Sequence, residues 1–168
     1  ASFYKELMPK LVLSLRTRNA FLGNYNKTLG NTPFERFYMG GDGMTQYANY
    51  DGREIIGFRG YENESVTPRN QLGVQVGASI YLEIRYPLSL NPSSTIYAMG
   101  FVEAGNSWET FKQFNPFDVK RSAGIGVRVF LPMFGMLGLD WGYGFDAIPG
   151  LPTANKGHFH FSINQSVD

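Results

Sequence analysis

Apolar and polar residues alternate with a period of two along much of this chain, the pattern of strands with one apolar face and one polar face. Val74 to Tyr86 shows it most clearly. Val74, Val76, Ala78, Ile80, Leu82, Ile84 and Tyr86 alternate with Gln75, Gly77, Ser79, Tyr81, Glu83 and Arg85. Leu11 to Phe21 sets Leu11, Leu13 and Leu15 against Ser14, Arg16 and Arg18. Thr95 to Asn106 sets Ile96, Ala98, Val102 and Ala104 opposite Glu103. Ser122 to Leu131 places Ala123, Ile125, Val127, Val129 and Leu131 against Gly124, Gly126 and Arg128. Leu137 to Phe145 places Leu137, Leu139, Trp141, Tyr143 and Phe145 against Gly138, Asp140, Gly142 and Gly144. His158 to Ile163 places Phe159, Phe161 and Ile163 against His158, His160 and Ser162. The pattern predicts six strands.

The connections are unequal. Leu88 to Ser94 and Pro132 to Met136 are short, carry Pro or Gly, and read as tight turns. Trp108 to Arg121 and Asp146 to Gly157 are intermediate. The segment of about 23–73 is far longer than an ordinary connection, and loops of that length in a compact domain carry function. Short turns on one side and longer loops on the other match an outer-membrane barrel.

The polar face decides between a soluble sheet and a membrane barrel. On a soluble sheet, Lys and Glu crowd the wet face. Here that face holds Gly, Ser, Tyr, His and single charges, with lysine nearly absent, which suits a crowded, hydrated lumen. Tyr86, Trp141, Tyr143 and Phe145 suit an interfacial aromatic girdle. A soluble ligand-binding barrel is the competing class. Six strands do not close a membrane barrel, and open edges in lipid leave backbone groups unpaired. The expectation is therefore the C-terminal part of a larger barrel.

Composition narrows this further. The 168 residues carry no cysteine, which removes disulfide scaffolds and thiolate metal sites. A net charge of +1 argues against a nucleic-acid partner. No run of about 18 apolar residues exists for a spanning helix. Ala1-Ser2-Phe3-Tyr4-Lys5 lacks a basic start followed by an apolar core, so no signal peptide is expected here.

The candidate chemistry lies in the long loop. Gly57, Phe58, Arg59, Gly60 and Tyr61 place an arginine between small and aromatic neighbours, while Glu83 and Glu103 sit on predicted inner faces. A guanidinium is a rigid fork of five donors, suited to holding two carboxylates at once. These residues suggest a loop folded back into a barrel and tied there by charge. Arg16, Arg18, Arg85, Arg128 and Asp140 share the inner face and read as a lumen charge network in preference to an ion filter. His158, His160 and Ser162 share one face, but the sequence supplies no orienting third residue and no Gly-x-Ser-x-Gly, so no catalytic residue is assigned. Two histidines without a further ligand make no metal site. No cofactor is expected. The glycines at 124, 126, 138, 142 and 144 are read as relieving crowding where inner side chains and the loop approach the wall.

An ordered set of motifs carries a family resemblance. Phe34-Glu35-Arg36-Phe37-Tyr38-Met39-Gly40-Gly41, Phe58-Arg59-Gly60-Tyr61, Leu82-Glu83, Phe101-Val102-Glu103-Ala104-Gly105-Asn106 and Ser122-Ala123-Gly124-Ile125-Gly126 follow one another along nearly the whole chain. Together they resemble the C-terminal barrel of the bacterial surface antigen D15 superfamily, which includes the central subunit of the outer-membrane β-barrel assembly machinery. The resemblance implies an all-β, transmembrane antiparallel barrel of about 16 strands, with residues 1–168 supplying roughly the last six. It places the family's loop arginine on Arg59 and its carboxylate partners on Glu83 and Glu103. The C-terminal end departs from the family, with Asn164 where a glycine is usual and Val167-Asp168 in place of a terminal aromatic. Asp42 to Glu54 reads as a lineage-specific insert.

The implied function is non-enzymatic folding and insertion of barrel proteins in the bacterial outer membrane. The strand His158, Phe159, His160, Phe161, Ser162 and Ile163 would form one side of a seam for strand addition. Implied partners are outer-membrane lipid, unfolded β-barrel substrates, accessory lipoproteins, and the remaining strands and periplasmic repeats of the same protein. A polypeptide-secretion pore and the barrel anchor of an envelope esterase are the alternatives within the superfamily.

Overall fold

The computed structural model describes residues 1–23, 36–43, 54–68, 73–91, 93–133 and 135–164. Nine strands occur among them: β1 (Ser2–Met8), β2 (Leu11–Phe21), β3 (Phe37–Met39), β4 (Glu54–Ile56), β5 (Val76–Asn91), β6 (Ser94–Trp108), β7 (Lys120–Leu131), β8 (Gly135–Gly144) and β9 (His158–Asn164). Seven form one antiparallel sheet in the order β1-β2-β5-β6-β7-β8-β9. The six expected strands are all present. The seventh, β1, was not expected. Its sequence puts Lys5 and Glu6 side by side, which hides the period of two, and all seven of its residues are exposed.

The sheet is a meander except at one place. Between β2 and β5 the chain leaves the sheet and folds over one of its faces. There β3 and β4 pair in parallel, Phe37 opposite Glu54 and Met39 opposite Ile56. The β1–β2, β5–β6 and β7–β8 connections are tight, and longer segments join β6 to β7 and β8 to β9. β5 ends at Asn91 and β6 begins at Ser94, closer together than the expected turn. β5 also accommodates Pro87, which lacks a backbone N–H and lies opposite Tyr97; the register shifts between Pro87 and Ser89, leaving Leu88 as the extra residue of a bulge beside the proline.

The period of two sorts the side chains as expected. Along β5, Ile80, Leu82 and Ile84 are 51%, 39% and 44% exposed, while Ser79, Tyr81 and Glu83 are 2%, 4% and 6% exposed. Register carries this sorting across the sheet. Leu82 lies opposite Leu15 and Val102, and Val127 lies opposite Ala98 and Leu139. The exposed face is therefore one continuous apolar surface, to which β9 adds Phe159, Phe161 and Ile163. The apolar core lies on the opposite side, between sheet and loop. Met39, Ile56, Phe58, Tyr61 and Val66 come from the loop and Ala20 from β2, with Phe37 and Ile148 packed against them.

Among the described residues, no helix is long and apolar enough to cross a membrane. Phe34 and Glu35 of the first motif, residues 44–53 of the insert and the terminal Val167-Asp168 lie outside the described residues.

Candidate functional site

The site is built where the loop touches the centre of the sheet. After β4, Gly57 and Phe58 lead into a turn that points Arg59 at β5, β6 and β8. Alternation on those strands turns Glu83, Glu103 and Asp140 to the same face, and register brings them near one another. Arg59 donates from Nε to Glu103 Oε1 at 2.5 Å and from Nη2 to Glu83 Oε1 at 2.6 Å. Its Nη1 reaches Asp140 Oδ2 at 3.4 Å. The Arg59 backbone N–H donates to Glu103 Oε2 at 2.8 Å, so both oxygens of that carboxylate are engaged by one residue. The guanidinium carbon also lies 3.8 Å from the centre of the Phe101 ring. One face of the fork thus rests on an aromatic surface, and its edge meets carboxylates.

Charge balance extends beyond these four groups. Glu83 Oε2 accepts from Arg85 at 2.7 and 3.0 Å. Asp140 accepts two bonds from Arg128, at 2.6 and 2.7 Å. Three guanidinium groups therefore meet three carboxylates in a buried cluster, and Glu103 is the carboxylate whose bonds come from Arg59. Burial opposes the charge of Arg59, but Glu103, Glu83 and Asp140 outweigh it, and its pKa is raised above the ordinary arginine value. A cavity of about 130 Å³ borders the cluster, with Arg16, Tyr97, His160 and Ser162 in its wall.

Backbone fit seats the loop. Gly60 has φ +85°, a left-handed value that favours glycine. A Cβ there would lie 2.8 Å from the Tyr143 carbonyl carbon and 2.9 Å from Ser122 Cβ. The wall reciprocates, since a Cβ on Gly142 would lie 2.7 Å from the Gly60 nitrogen. The two backbones touch because neither carries a side chain there, the crowding inferred for glycine 142.

Neighbouring bonds hold the same turn. The Tyr81 hydroxyl donates to the Gly57 carbonyl at 2.7 Å, and the Gly60 N–H donates to His160 Nε2 at 2.9 Å. Tyr61 stacks on Phe58, with ring centres 5.2 Å apart. Its hydroxyl donates to the Arg121 carbonyl at 2.8 Å and accepts from the Asp146 N–H at 3.2 Å. Burial pushes the Tyr61 phenol up to about 12. Hydrogen bonding to Arg121 holds the Asp146 carboxyl below its usual range.

The residues singled out in the sequence thus divide into groups. Arg59, Glu83 and Glu103 come together directly, with Gly57, Phe58, Gly60 and Tyr61 shaping the turn. Arg85, Arg128 and Asp140 join the cluster. Arg18 stands apart, bonded to Glu54 at 2.5 Å with both side chains largely exposed, so it ties the loop at the sheet's margin instead of joining the central network. Of the terminal strand, His158 and His160 face inward, Phe159, Phe161 and Ile163 point outward, and Ser162 borders the cavity. β9 pairs with β8 on one side and ends the sheet on the other. The direct Asp140 contact, the Phe101 platform and the acceptor role of His160 were not foreseen. Each depends on proximity across the sheet, and alternation signals only the face. Among the described residues, no group of three metal-ligating side chains occurs.

Residues 1–167 match the family profile described as the Omp85 superfamily domain. Among solved structures, BamA from Haemophilus ducreyi lacking POTRA domains 1–3 is similar in fold, with a TM-score of 0.65 and 17% identity. The alignment covers 95% of this chain and 32% of that one, so the chain spans about a third of the length of that relative. Comparison with curated proteins gives no match. The seven-stranded sheet is an open portion of a transmembrane antiparallel β-barrel, as the ordered motifs led us to expect.

Proposed function

The chain belongs to the Omp85 superfamily, and from that membership we propose that it is the C-terminal portion of an outer-membrane barrel that folds and inserts other β-barrel proteins. The observation carrying this reading is the buried tie between Arg59 and the carboxylates of Glu83, Glu103 and Asp140. It holds a loop with its own apolar core against the inner wall. A wall covered in this way is poorly suited to be an open pore, and it gives the barrel a fixed internal brace.

The proposed work is done by strand pairing, without a covalent step. β9 ends the sheet, so among the described residues one of its edges has no partner strand. An edge of this kind offers a row of N–H and C=O groups to an incoming strand. In lipid each unpaired group costs several kcal/mol, so strand addition is strongly favourable once the edge opens. Phe159, Phe161 and Ile163 would face acyl chains during that exchange, and His158, His160 and Ser162 would face the lumen. Unfolded barrel proteins are the proposed substrates. Lipoprotein subunits and the remaining strands and periplasmic repeats of the same polypeptide are the proposed partners, and the bacterial outer membrane is the proposed location.

Reconstitution of the intact protein in liposomes tests this. A photo-crosslinker at Ile163 should capture an added unfolded barrel protein, and folding of that protein should be faster than in empty liposomes. Folding no faster than in empty liposomes, with no captured substrate, would count against the reading.

A further inference from the structure

We propose that His160 is a positioning residue that couples the loop turn to the terminal strand through its neutral imidazole, and that protonation releases this coupling. The inference rests on the seam reading of β9 for its functional meaning, but the contact itself stands on geometry. Gly60 N–H donates to His160 Nε2 at 2.9 Å across a sequence separation of 100 residues. A nitrogen that accepts needs its lone pair, so the ring proton must sit on Nδ1. An imidazolium carries N–H on both nitrogens and accepts nothing. Protonation would set N–H against N–H and place a second cation near Arg59.

Two features limit how the site absorbs that change. His160 is 6% exposed, and the space beside its ring is the cavity of about 130 Å³ that it shares with the charge cluster. Gly60 lies so close to the wall that a Cβ on it would sit 2.8 Å from the Tyr143 carbonyl carbon and 3.0 Å from the Gly144 nitrogen. The turn has no room to follow a retreating ring. The loop is thus seated on β7 and β8 by shape, and the imidazole extends its hold to β9.

Charges face the ring from every side. Asp140 on β8 is its register partner, and Arg128 on β7 lines the same cavity. Arg59 and Asp42 come from the loop, and Glu62 and Asn63 border the His158–His160 side. His158 on the same strand has its ring centre 6.2 Å away. The carboxylates attract an imidazolium and the two guanidinium groups repel it. Asp140 is already held by Arg128 and Arg59, so it is poorly placed to satisfy a new N–H. The bond is therefore present with neutral imidazole at high pH and lost as pH falls through the histidine range. Below it, β9 loses this tie to the loop turn.

Hydrogen exchange of the intact protein in lipid nanodiscs tests this, corrected for the intrinsic pH dependence of exchange. Amides of residues 57–61 should exchange about tenfold faster at about pH 5.5 than at about pH 7.5. His160→Gln retains a neutral acceptor and should protect the turn at both values. His160→Phe should exchange fast at both. A wild-type turn with no pH response, or a glutamine variant that keeps the full response, would overturn the proposal. Those two arms decide the matter even if the phenylalanine variant fails to fold. Because the readout is local protection, a protein that passes this test and inserts no substrate would sink the proposed function alone.

Discussion

Arg59→Ala should release the loop turn, and the structure says where the cost falls. The substitution removes a guanidinium from three carboxylates that differ in their other partners. Glu83 keeps Arg85, and Asp140 keeps both bonds from Arg128. Glu103, 1% exposed, loses its 2.5 Å bond to Nε and keeps the 2.8 Å bond from the backbone N–H of residue 59, so its charge is left buried without the cation that balanced it. Removing one partner of a buried pair costs about 3–5 kcal/mol. Most of that should fall on Glu103, which would then take up a proton or draw water into the cluster. At about 1.4 kcal/mol per factor of ten, local opening of the turn should rise by two orders of magnitude or more.

The assay is hydrogen exchange at residues 57–61 in the intact barrel, with protease access to the turn as a second readout. Three companion variants sharpen it. Arg59→Lys supplies a point charge without the fork and should fall between wild type and alanine. Arg59→Ala combined with Glu103→Gln removes the stranded charge, and its loss should be smaller than that of Arg59→Ala alone by about 1–3 kcal/mol. Arg59→Ala combined with Glu83→Gln should recover less, because Arg85 already compensates Glu83. An Arg59→Ala turn as protected as wild type, or equal recovery from the two glutamines, would refute the reasoning.

Two further outcomes are expected. Gly60→Ala forces a side chain into left-handed backbone, at about 1–2 kcal/mol, and into the β7–β8 wall; the barrel should still show the gel shift of a folded species on heating, while the turn is cleaved faster by protease. Asp146 supplies an acid-sensitive tie: Arg121 depresses its folded pKa, so its contribution is fully present above the ordinary aspartate value and is lost as pH falls through the lower folded value. Exchange near Tyr61 should then quicken in that acid window, and Asp146→Asn should flatten the response.

How much was legible depended on whether a residue lay in a repeating pattern. The six expected strands announced themselves through a period of two, which on β5 separates Ile80, Leu82 and Ile84 from Ser79, Tyr81 and Glu83 without ambiguity. β1 did not, since Lys5 and Glu6 adjoin and no face of the strand is buried. Alternation also assigned Glu83, Glu103 and Asp140 to one face. It could not say that Asp140, 81 residues from Arg59, would come within reach of Nη1, because that follows from the register of four neighbouring strands. The β3–β4 pair was illegible for a related reason. Its strands are three residues each and rest on distant partners, as when the Met39 N–H donates to Thr67 Oγ1 at 2.8 Å. Arg18 shows the limit from the other side: its face was read correctly, but its height along the strand placed it beside Glu54 and away from the cluster.

The most direct test of the account is a nitroxide scan along β5 in the intact protein, in lipid nanodiscs, reading collisions with lipid-dissolved oxygen and with a water-soluble relaxant. Labels at 80, 82 and 84 should collide strongly with oxygen, and labels at 77, 79 and 81 weakly with both agents, because the loop covers them. Weak oxygen collisions at 80, 82 and 84, or freely wetted labels at 77, 79 and 81, would contradict a wall with acyl chains outside and a braced loop within.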